Sequence, residues 1–196
     1  MPLRTVYTPD ERYEQTKHTI KTIREKVPNS YIYLSEGSQL PTKIETELKT
    51  LVDKYVNFSQ DVEIKKCVDN PQKGNGEVAL IYNALKLLNN FNDFENYFKI
   101  SGRYYLDDQF HLNNFLTTYN IFNLCNDRYA TTMYKIHKSH IEAYLIALKE
   151  SLKYIDESME VALYKTYPPS HPDNLVTTRI GVSGLLGPYY NCLISN

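Results

Sequence analysis

The chain of 196 residues has no tryptophan, only three cysteines and almost no net charge. A formal charge of −1 argues against nucleic-acid binding, which normally requires a basic surface. Cys67, Cys125 and Cys192 are odd in number and widely spaced, which favours reduced thiols over a disulfide framework or a zinc site. No apolar run approaches the roughly 20 residues that a membrane-spanning helix needs. We therefore expect a cytoplasmic protein with no membrane span and no nucleic-acid partner.

Glycine is also scarce, and the first of the seven glycines is Gly37. All seven fall where loops are expected, which suggests backbone that turns tightly or approaches a ligand closely. Tyrosine is abundant instead, with 18 residues whose rings suit sugar and nucleobase surfaces but also serve in half-buried positions. The apolar fraction of 42% is ordinary for a globular protein, and residues 1–196 are expected to form a single domain.

Hydrophobic periodicity predicts an alternation of strands and helices in the first half of the chain. The predicted order is a strand at residues 3–7, a helix from Pro9, a strand at residues 31–35, a helix from Pro41, a strand at "VEIKKCV", a helix around Val78, Ile81, Leu85 and Leu88, and a strand at "YFKI". Short connections in this order predict an α/β fold with a mostly parallel central sheet, flanked by helices on both faces.

The second half of the chain has a different pattern. "YNIFNLC" and "TTMYKIH" predict a hairpin, followed by a helix at about residues 139–154. A shorter helix is predicted in "DESMEVALYKTYP", capped by Asp156 or Ser158, and a last strand in "LVTTRIGVSGLLG".

Four loops follow or precede the predicted strands and helices on one side of the sheet. They are residues 8–13, 36–38, 73–77 and 101–108. Because ligands bind outside the carboxyl ends of the strands in such sheets, we expect these loops to open on one common edge.

Three motifs in these loops have both a functional and a structural interpretation. "KGNGE" offers backbone N–H groups and Lys73 to an anion, or it is simply a turn and a helix cap, and its spacing is not that of a P-loop. Arg103 is able to clamp a diphosphate or to pair with a neighbouring acid. Asp107 and Asp108 are able to hold a divalent cation or to cap a helix that begins near Gln109.

Glu160 is the best candidate for a catalytic base. It lies near the start of a predicted helix, and its apolar neighbours Met159 and Val161 would raise its pKa by desolvation. The alternative is a first-turn glutamate that the helix dipole stabilises.

Four stretches resemble a known family: "ERYEQTKHTIKTIREKVPNSYIYLSEGS", "KGNGE", "FKISGRYYLDDQF" and "SMEVALY". They are similar to the small GT-A-type nucleotide-sugar glycosyltransferases of large DNA viruses and bacterial polysaccharide clusters, most of all to chlorella-virus domains of this family that decorate the capsid with glycan. The resemblance covers about residues 7–187. It implies a GT-A, Rossmann-like fold, a UDP-sugar donor, Mn²⁺ or Mg²⁺ as cofactor, a glycan or glycoprotein acceptor, and the host cell cytoplasm as the location if the protein is viral.

The resemblance also implies roles for individual residues. The nucleobase and ribose would be held by Thr5, Tyr7, Arg12, Glu36 and Ser38, and the ribose or diphosphate would be bordered by Lys73 and Gly76. The Asp-x-Asp metal motif of the family would fall on residues 101–103, where this chain has no acid. Either Arg103 replaces part of the cation's charge, or Asp107 or Asp108 holds the cation.

The implied reaction is an inverting sugar transfer with Glu160 as the base that takes the acceptor proton. Arg103 and Lys73 would stabilise the departing diphosphate. The missing Asp-x-Asp favours an alternative, a non-catalytic nucleotide-binding or glycan-binding module or a scaffold of a larger glycan-building protein.

Overall fold

The computed structural model describes residues 7–70, 73–88, 91, 93–125, 128–177, 180–185 and 193–195. The helices in these residues are α1 (Pro9–Lys26), α2 (Thr42–Leu51), α3 (Val62–Asp69), α4 (Lys73–Lys86), α5 (Ile141–Ser151) and α6 (Met159–Thr166). The strands are β1 (Tyr33–Glu36), β2 (Lys54–Asn57), β3 (Asn96–Ile100), β4 (Tyr104–Leu106), β5 (Asn120–Leu124), β6 (Tyr129–His137), β7 (Asn174–Thr177), β8 (Val182–Leu185) and β9 (Leu193–Ser195).

The fold is mixed α/β, as predicted, but the prediction of a mostly parallel sheet is wrong. β1 pairs with β2 in parallel, whereas the four-stranded sheet has the order β3-β6-β5-β7 and only its β5–β7 pair is parallel. β4, β8 and β9 form an antiparallel sheet of their own. The short β5–β6 connection forces those strands to run antiparallel, and the long β6 then pairs antiparallel with β3 as well.

Several predicted elements are confirmed. α1 begins at Pro9 behind a capping box, in which the Thr8 hydroxyl accepts a hydrogen bond from the Glu11 backbone N–H and the Glu11 carboxylate accepts one from the Thr8 N–H. α2 and α5 lie where the periodicity placed them, the hairpin is β5–β6, and α6 begins directly after Ser158. α4 covers most of the predicted helix but begins at Lys73, so the prediction of a loop at residues 73–77 is wrong. The predicted first strand, residues 3–7, lies outside the described residues except for Tyr7.

The predicted strand "VEIKKCV" is wrong, because these residues form α3. Asp61 starts the helix, since its Oδ1 accepts hydrogen bonds of 3.0 Å from the backbone N–H groups of Glu63 and Ile64. Ile64, Cys67 and Val68 then share one helical face, which packs in a cluster with Ala79 and Leu80 of α4. The alternation of apolar and charged residues over only four positions fits both periods, and the N-cap decides for the helix.

The main core lies between the four-stranded sheet and the helices α4, α5 and α6. Its fully buried residues include Phe122, Tyr129, Tyr134, Leu148 and Leu163. No helix in the described part of the chain combines the length and the apolar character that crossing a membrane requires.

Candidate functional site

A cavity of about 880 Å³, which we call the central cleft, lies between β1 and β3. Its two long walls are residues 31–38 and residues 93–103, and further lining comes from α1, α4, β6, α5 and residues 106–116. At the carboxyl ends of β1 and β3 the lining is polar. The residues of this polar end are Arg12, Thr16, Glu36, Ser38, Gly76, Glu77, Ser101 and Arg103. Five residues predicted as nucleotide contacts therefore share one cleft: Arg12, Glu36, Ser38, Gly76 and Arg103.

Glu36 is held by the turn that follows β1. Its Oε1 accepts hydrogen bonds from the backbone N–H groups of Gly37, at 2.9 Å, and Ser38, at 2.7 Å. The Asn57 side chain donates to the Ser38 carbonyl across 3.3 Å and ties the same turn to the end of β2. The carboxylate is therefore fixed before any ligand binds.

Lys99 and Ser101, at the end of β3, form a charged cluster with Glu77 of α4 on the cleft wall. Lys99 forms an ion pair with Glu77 of α4 and donates to the Ser101 hydroxyl at 2.7 Å, and that hydroxyl donates to Glu77 at 3.0 Å. Burial raises the pKa of Glu77, but Lys99, Ser101 and the nearby Arg103 guanidinium outweigh this effect and hold the pKa below its usual value. Glu77 is therefore ionised at neutral pH.

The N-terminal ends of α4 and α6 meet beside this cluster. A Cβ on Gly74 would lie 2.0 Å from the backbone nitrogen of Met159, and a Cβ on Gly76 would lie 2.8 Å from Cα of Val68. The glycines of "KGNGE" thus allow close packing of α4 against α6 and α3. Lys73 is the first residue of α4, and its side chain lies outside the described part of the structure.

Glu160 is connected to the charged cluster through β6. The Thr131 hydroxyl donates to Oε1 of Glu160 at 2.9 Å, and the Thr131 carbonyl accepts a hydrogen bond from Lys99. Glu160 and Glu77 thus lie on either side of the Lys99–Thr131 contact. Glu160 and Thr131 are not among the residues that line the central cleft, and the contacts through Thr131 and Lys99 link Glu160 to its wall.

Several groups of this region affect the pKa of the Tyr104 hydroxyl. Burial raises the pKa of Tyr104, Arg103 lowers it, and Glu77, Glu160 and Tyr7 raise it further. Arg103, Glu160 and Tyr7, all predicted as site residues, therefore lie close enough to act on the same group. Thr5, predicted to contact the nucleobase, lies outside the described residues.

Asp107 and Asp108, predicted as cation ligands, lie in the turn after β4. Asp107 accepts hydrogen bonds from the Gln109 backbone N–H at 2.9 Å and from the Ser183 hydroxyl at 2.6 Å. Asp108 is fully exposed and pairs with Lys26 at 3.4 Å. The alternative prediction, that the two acids cap a helix beginning near Gln109, is wrong, because these residues form a turn and the next helical element is a 3₁₀ turn at Leu112–Phe115.

The sequence interpretation missed Glu77, Lys99, Ser101 and Thr131. Ser101 directly follows β3, two positions after Lys99, and the two side chains are hydrogen-bonded, while Arg103 lies in the turn before β4. That spacing in "FKISGR" was the available signal. Glu77 ends the "KGNGE" motif, which was interpreted only through its backbone N–H groups and Lys73.

The chain matches no model of a known protein family and no curated protein. The chemistry of the site therefore rests on its residues. The polar end of the cleft contains two arginines, Arg12 and Arg103, and two glutamates, Glu36 and Glu77. This combination suits a ligand that carries both phosphate and hydroxyl groups.

Proposed function

We propose that this protein is a GT-A-type glycosyltransferase that moves a sugar from a nucleotide-diphosphate donor, a UDP-sugar, to a hydroxyl group of a glycan. The resemblance of four sequence stretches to that family motivates the proposal. One observation carries it: Arg12, Glu36, Ser38, Gly76 and Arg103, which come from separate parts of the chain, line a single cleft at the ends of two strands.

In this proposal the nucleotide lies at the polar end of the central cleft. The Glu36 carboxylate accepts hydrogen bonds from ribose hydroxyls, and the Arg103 guanidinium binds the diphosphate in a bidentate manner. The N-terminal turn of α4, which contains Gly76, adds the positive end of the helix dipole to the same region.

Glu160 is the proposed base. The acceptor oxygen bonds to the anomeric carbon while the bond from that carbon to the diphosphate breaks, the acceptor proton moves to the Glu160 carboxylate, and the nucleoside diphosphate leaves. Thr131 binds Oε1 of Glu160, which leaves Oε2 to take the proton while the hydrogen bond fixes the direction of the carboxylate.

The charge that stabilises the leaving group is proposed to come from the protein. Lys99 and Arg103 are cations at the strand end where the family places its metal-binding acids, and Glu77 is already paired with Lys99. Asp107 is engaged with Gln109 and Ser183. These residues do not fit a cation held by carboxylates at the strand end, so no step of the proposed reaction uses one.

A thermal-shift panel of UDP, GDP and CMP, each with Mn²⁺ and with a chelator, tests the proposal. UDP at about 100 times its dissociation constant stabilises a protein by about 2.7 kcal/mol, which is roughly 5–10 °C in Tm at this chain length. We expect a shift of this size with UDP alone, and nearly the same shift in chelator. No shift with any nucleotide would refute the proposed donor site.

The second candidate is a non-catalytic module that binds a nucleotide or a glycan. The observation in its favour is the Ser-Gly-Arg sequence at residues 101–103, where the resembled family has acids. UDP-dependent stabilisation without consumption of any UDP-sugar in the presence of glycan acceptors would favour this candidate over the transferase.

A further inference from the structure

The turn that joins β6 to α5 is capped by an imidazole. β6 ends at His137, residues Lys138–His140 form a single 3₁₀ turn, which we call the junction turn, and α5 begins at Ile141. Nδ1 of His137 accepts a hydrogen bond from the backbone N–H of Ser139 at 3.3 Å and lies 2.7 Å from the Ser139 hydroxyl. His137 is therefore the N-cap of the junction turn, a position at which a side-chain oxygen is the usual acceptor.

This cap requires an uncharged ring. A neutral imidazole has one N–H donor and one acceptor nitrogen, whereas an imidazolium has two donors and no acceptor. Because Nδ1 of His137 accepts from Ser139, the proton of the neutral ring lies on Nε2, which faces Oε2 of Glu95 at 3.6 Å. A second proton on the ring would place an N–H group against the Ser139 N–H, and the junction turn would lose its cap.

The surroundings of His137 oppose a positive charge on the ring. The side chain is 12% exposed, and burial is the largest effect that lowers its pKa below the ordinary value. Three nearby basic groups lower the pKa of His137 further: Lys135, His140 and Lys138. Glu95, in the segment before β3, raises it, but the Glu95 carboxylate is shared with Lys138 in an ion pair. His137 is therefore neutral at neutral pH.

The junction turn is also attached to two other segments through His140. Nε2 of His140 lies 3.1 Å from the Thr118 carbonyl, in the loop before β5. Nδ1 of His140 lies 3.3 Å from Oδ2 of Asp173, in the segment before β7, and the His171 ring faces the same oxygen at 3.7 Å. The ring centres of His140 and His137 are 6.0 Å apart, so a charge on one ring acts on the other. His137 thus caps a turn at which basic and acidic groups from several parts of the chain meet.

We propose that His137 is an acid-sensitive switch at the start of α5: the neutral ring closes the junction turn, and protonation of the ring opens it. The rest of α5 stays in place, because Tyr144 and Leu148 are buried in the main core. His137 pairs with Asn96 at the beginning of β3, whereas the charged cluster lies at the end of β3. The switch lies at the opposite end of the strand from the proposed reaction and does not depend on it.

The direction of the pH effect follows from the lowered pKa of His137. Below the ordinary histidine value of 6.5, the unfolded chain binds more protons at this residue than the folded chain. The contribution of His137 to the free energy of unfolding is therefore fully present above pH 6.5 and is lost as the pH falls below this value. Acid thus weakens the junction turn, and neutral pH restores it.

Hydrogen exchange of the full chain tests the proposal when it is measured at about pH 7.5 and about pH 5 and corrected for the intrinsic pH dependence of exchange. We expect the protection of the amides of residues 138–142 to fall about threefold or more at the lower pH, which corresponds to the loss of a helix cap. Equal protection at the two pH values would overturn the proposal. An equal fall in residues 145–151 of the same helix would also overturn it, because the effect would then be general destabilisation.

His137→Asn keeps the cap but removes the titration. The asparagine Oδ1 is bonded to Cγ, as Nδ1 is in histidine, and asparagine is among the preferred N-cap residues. We expect the protection of residues 138–142 in His137→Asn to be nearly the same at the two pH values. A loss of protection in acid as large as that of the wild type would overturn the proposal.

His111→Asn is the matched control. His111 precedes the 3₁₀ turn Leu112–Phe115 as His137 precedes the junction turn, but its side chain makes no capping hydrogen bond in the described part of the chain. This variant should therefore keep the wild-type loss of protection in residues 138–142, and abolition of that loss would overturn the proposal. If His137→Asn does not fold, ¹⁵N NMR of the His137 ring in the wild type decides: the proton should lie on Nε2 at neutral pH, and a proton on Nδ1 would overturn the proposal.

Discussion

At the scale of single residues, Glu160 carries the proposed proton transfer. In Glu160→Gln the amide oxygen still accepts the Thr131 hydrogen bond, but the side chain no longer accepts a proton. We expect the rate of sugar transfer to fall by roughly 10²–10⁴-fold, with UDP affinity nearly unchanged, as measured by UDP release and by calorimetry.

Glu142→Gln is the matched control for Glu160→Gln. Glu142 is the second residue of α5, as Glu160 is the second residue of α6, but it is exposed on the surface. Both substitutions remove one acid from the first turn of a helix, so an effect of that charge on the helix itself should appear in both variants, whereas loss of transfer should appear only in Glu160→Gln. Wild-type turnover in Glu160→Gln would remove this residue from the role of base.

Arg103 carries the proposed contact with the diphosphate. A hydrogen bond between charged groups contributes about 1.5–3 kcal/mol, so we expect Arg103→Ala to weaken UDP binding roughly 10–100-fold. Arg103→Lys keeps the charge but loses the two-pronged geometry, so its affinity should lie in between. Lys21→Ala, on the exposed side of α1, is the control. Unchanged UDP affinity in Arg103→Ala, measured by calorimetry, would contradict the contact.

At the scale of secondary-structure elements, β6 contains a fully buried lysine. The Lys135 ammonium donates to the carbonyls of Thr117 and Tyr119, and burial lowers its pKa to about 8. No carboxylate compensates for this burial among the groups that shift its pKa. The lysine therefore fixes the loop before β5 to β6 at the cost of desolvating a charge.

The lowered pKa of Lys135 predicts how stability depends on pH. Between about pH 8 and the ordinary value of 10.5, the unfolded chain binds more protons at this residue than the folded chain. The free energy of unfolding should therefore rise with pH in this window, through the Lys135 contribution. Lys135→Met lacks this contribution, so the free energy of unfolding of the wild type relative to that of Lys135→Met should rise as the pH increases from 8 to 10, measured by urea denaturation. A difference independent of pH would contradict the assignment.

The elements also show what the sequence is able to predict. α1 was predictable because Pro9, its capping box and a 3.6-residue period agree, whereas the prediction of α2 used Pro41 and the period, and that of α5 used the period alone. α3 was mistaken for a strand because its eight residues are too few to separate the two periods, and the cap at Asp61 was not used. β2 and β4, of four and three residues, have too little pattern to be recognised.

At the scale of the whole molecule, strand direction was the main error. The order of strands and helices in the first half suggested parallel pairing throughout, but β6, which comes from the second half, pairs antiparallel with β3. Long-range pairing of this kind leaves no local signal in the sequence. The polar end of the cleft was predictable in part, because Glu36 ends β1 and Arg103 lies in the turn after β3. The pairing of Glu77 with Lys99 depends instead on how α4 is placed beside β3.

The Glu36 turn has one further consequence. The two backbone N–H groups of the turn hold the Glu36 carboxylate in one orientation. It therefore presents a fixed, negatively charged hydrogen-bond acceptor to any ligand in the cleft. A ligand with a hydroxyl group at that point donates a hydrogen bond to the Glu36 carboxylate, whereas a ligand with an acidic group there is repelled. The residues 36–38 thus discriminate between hydroxyl-bearing and acidic ligands without any larger movement of the protein.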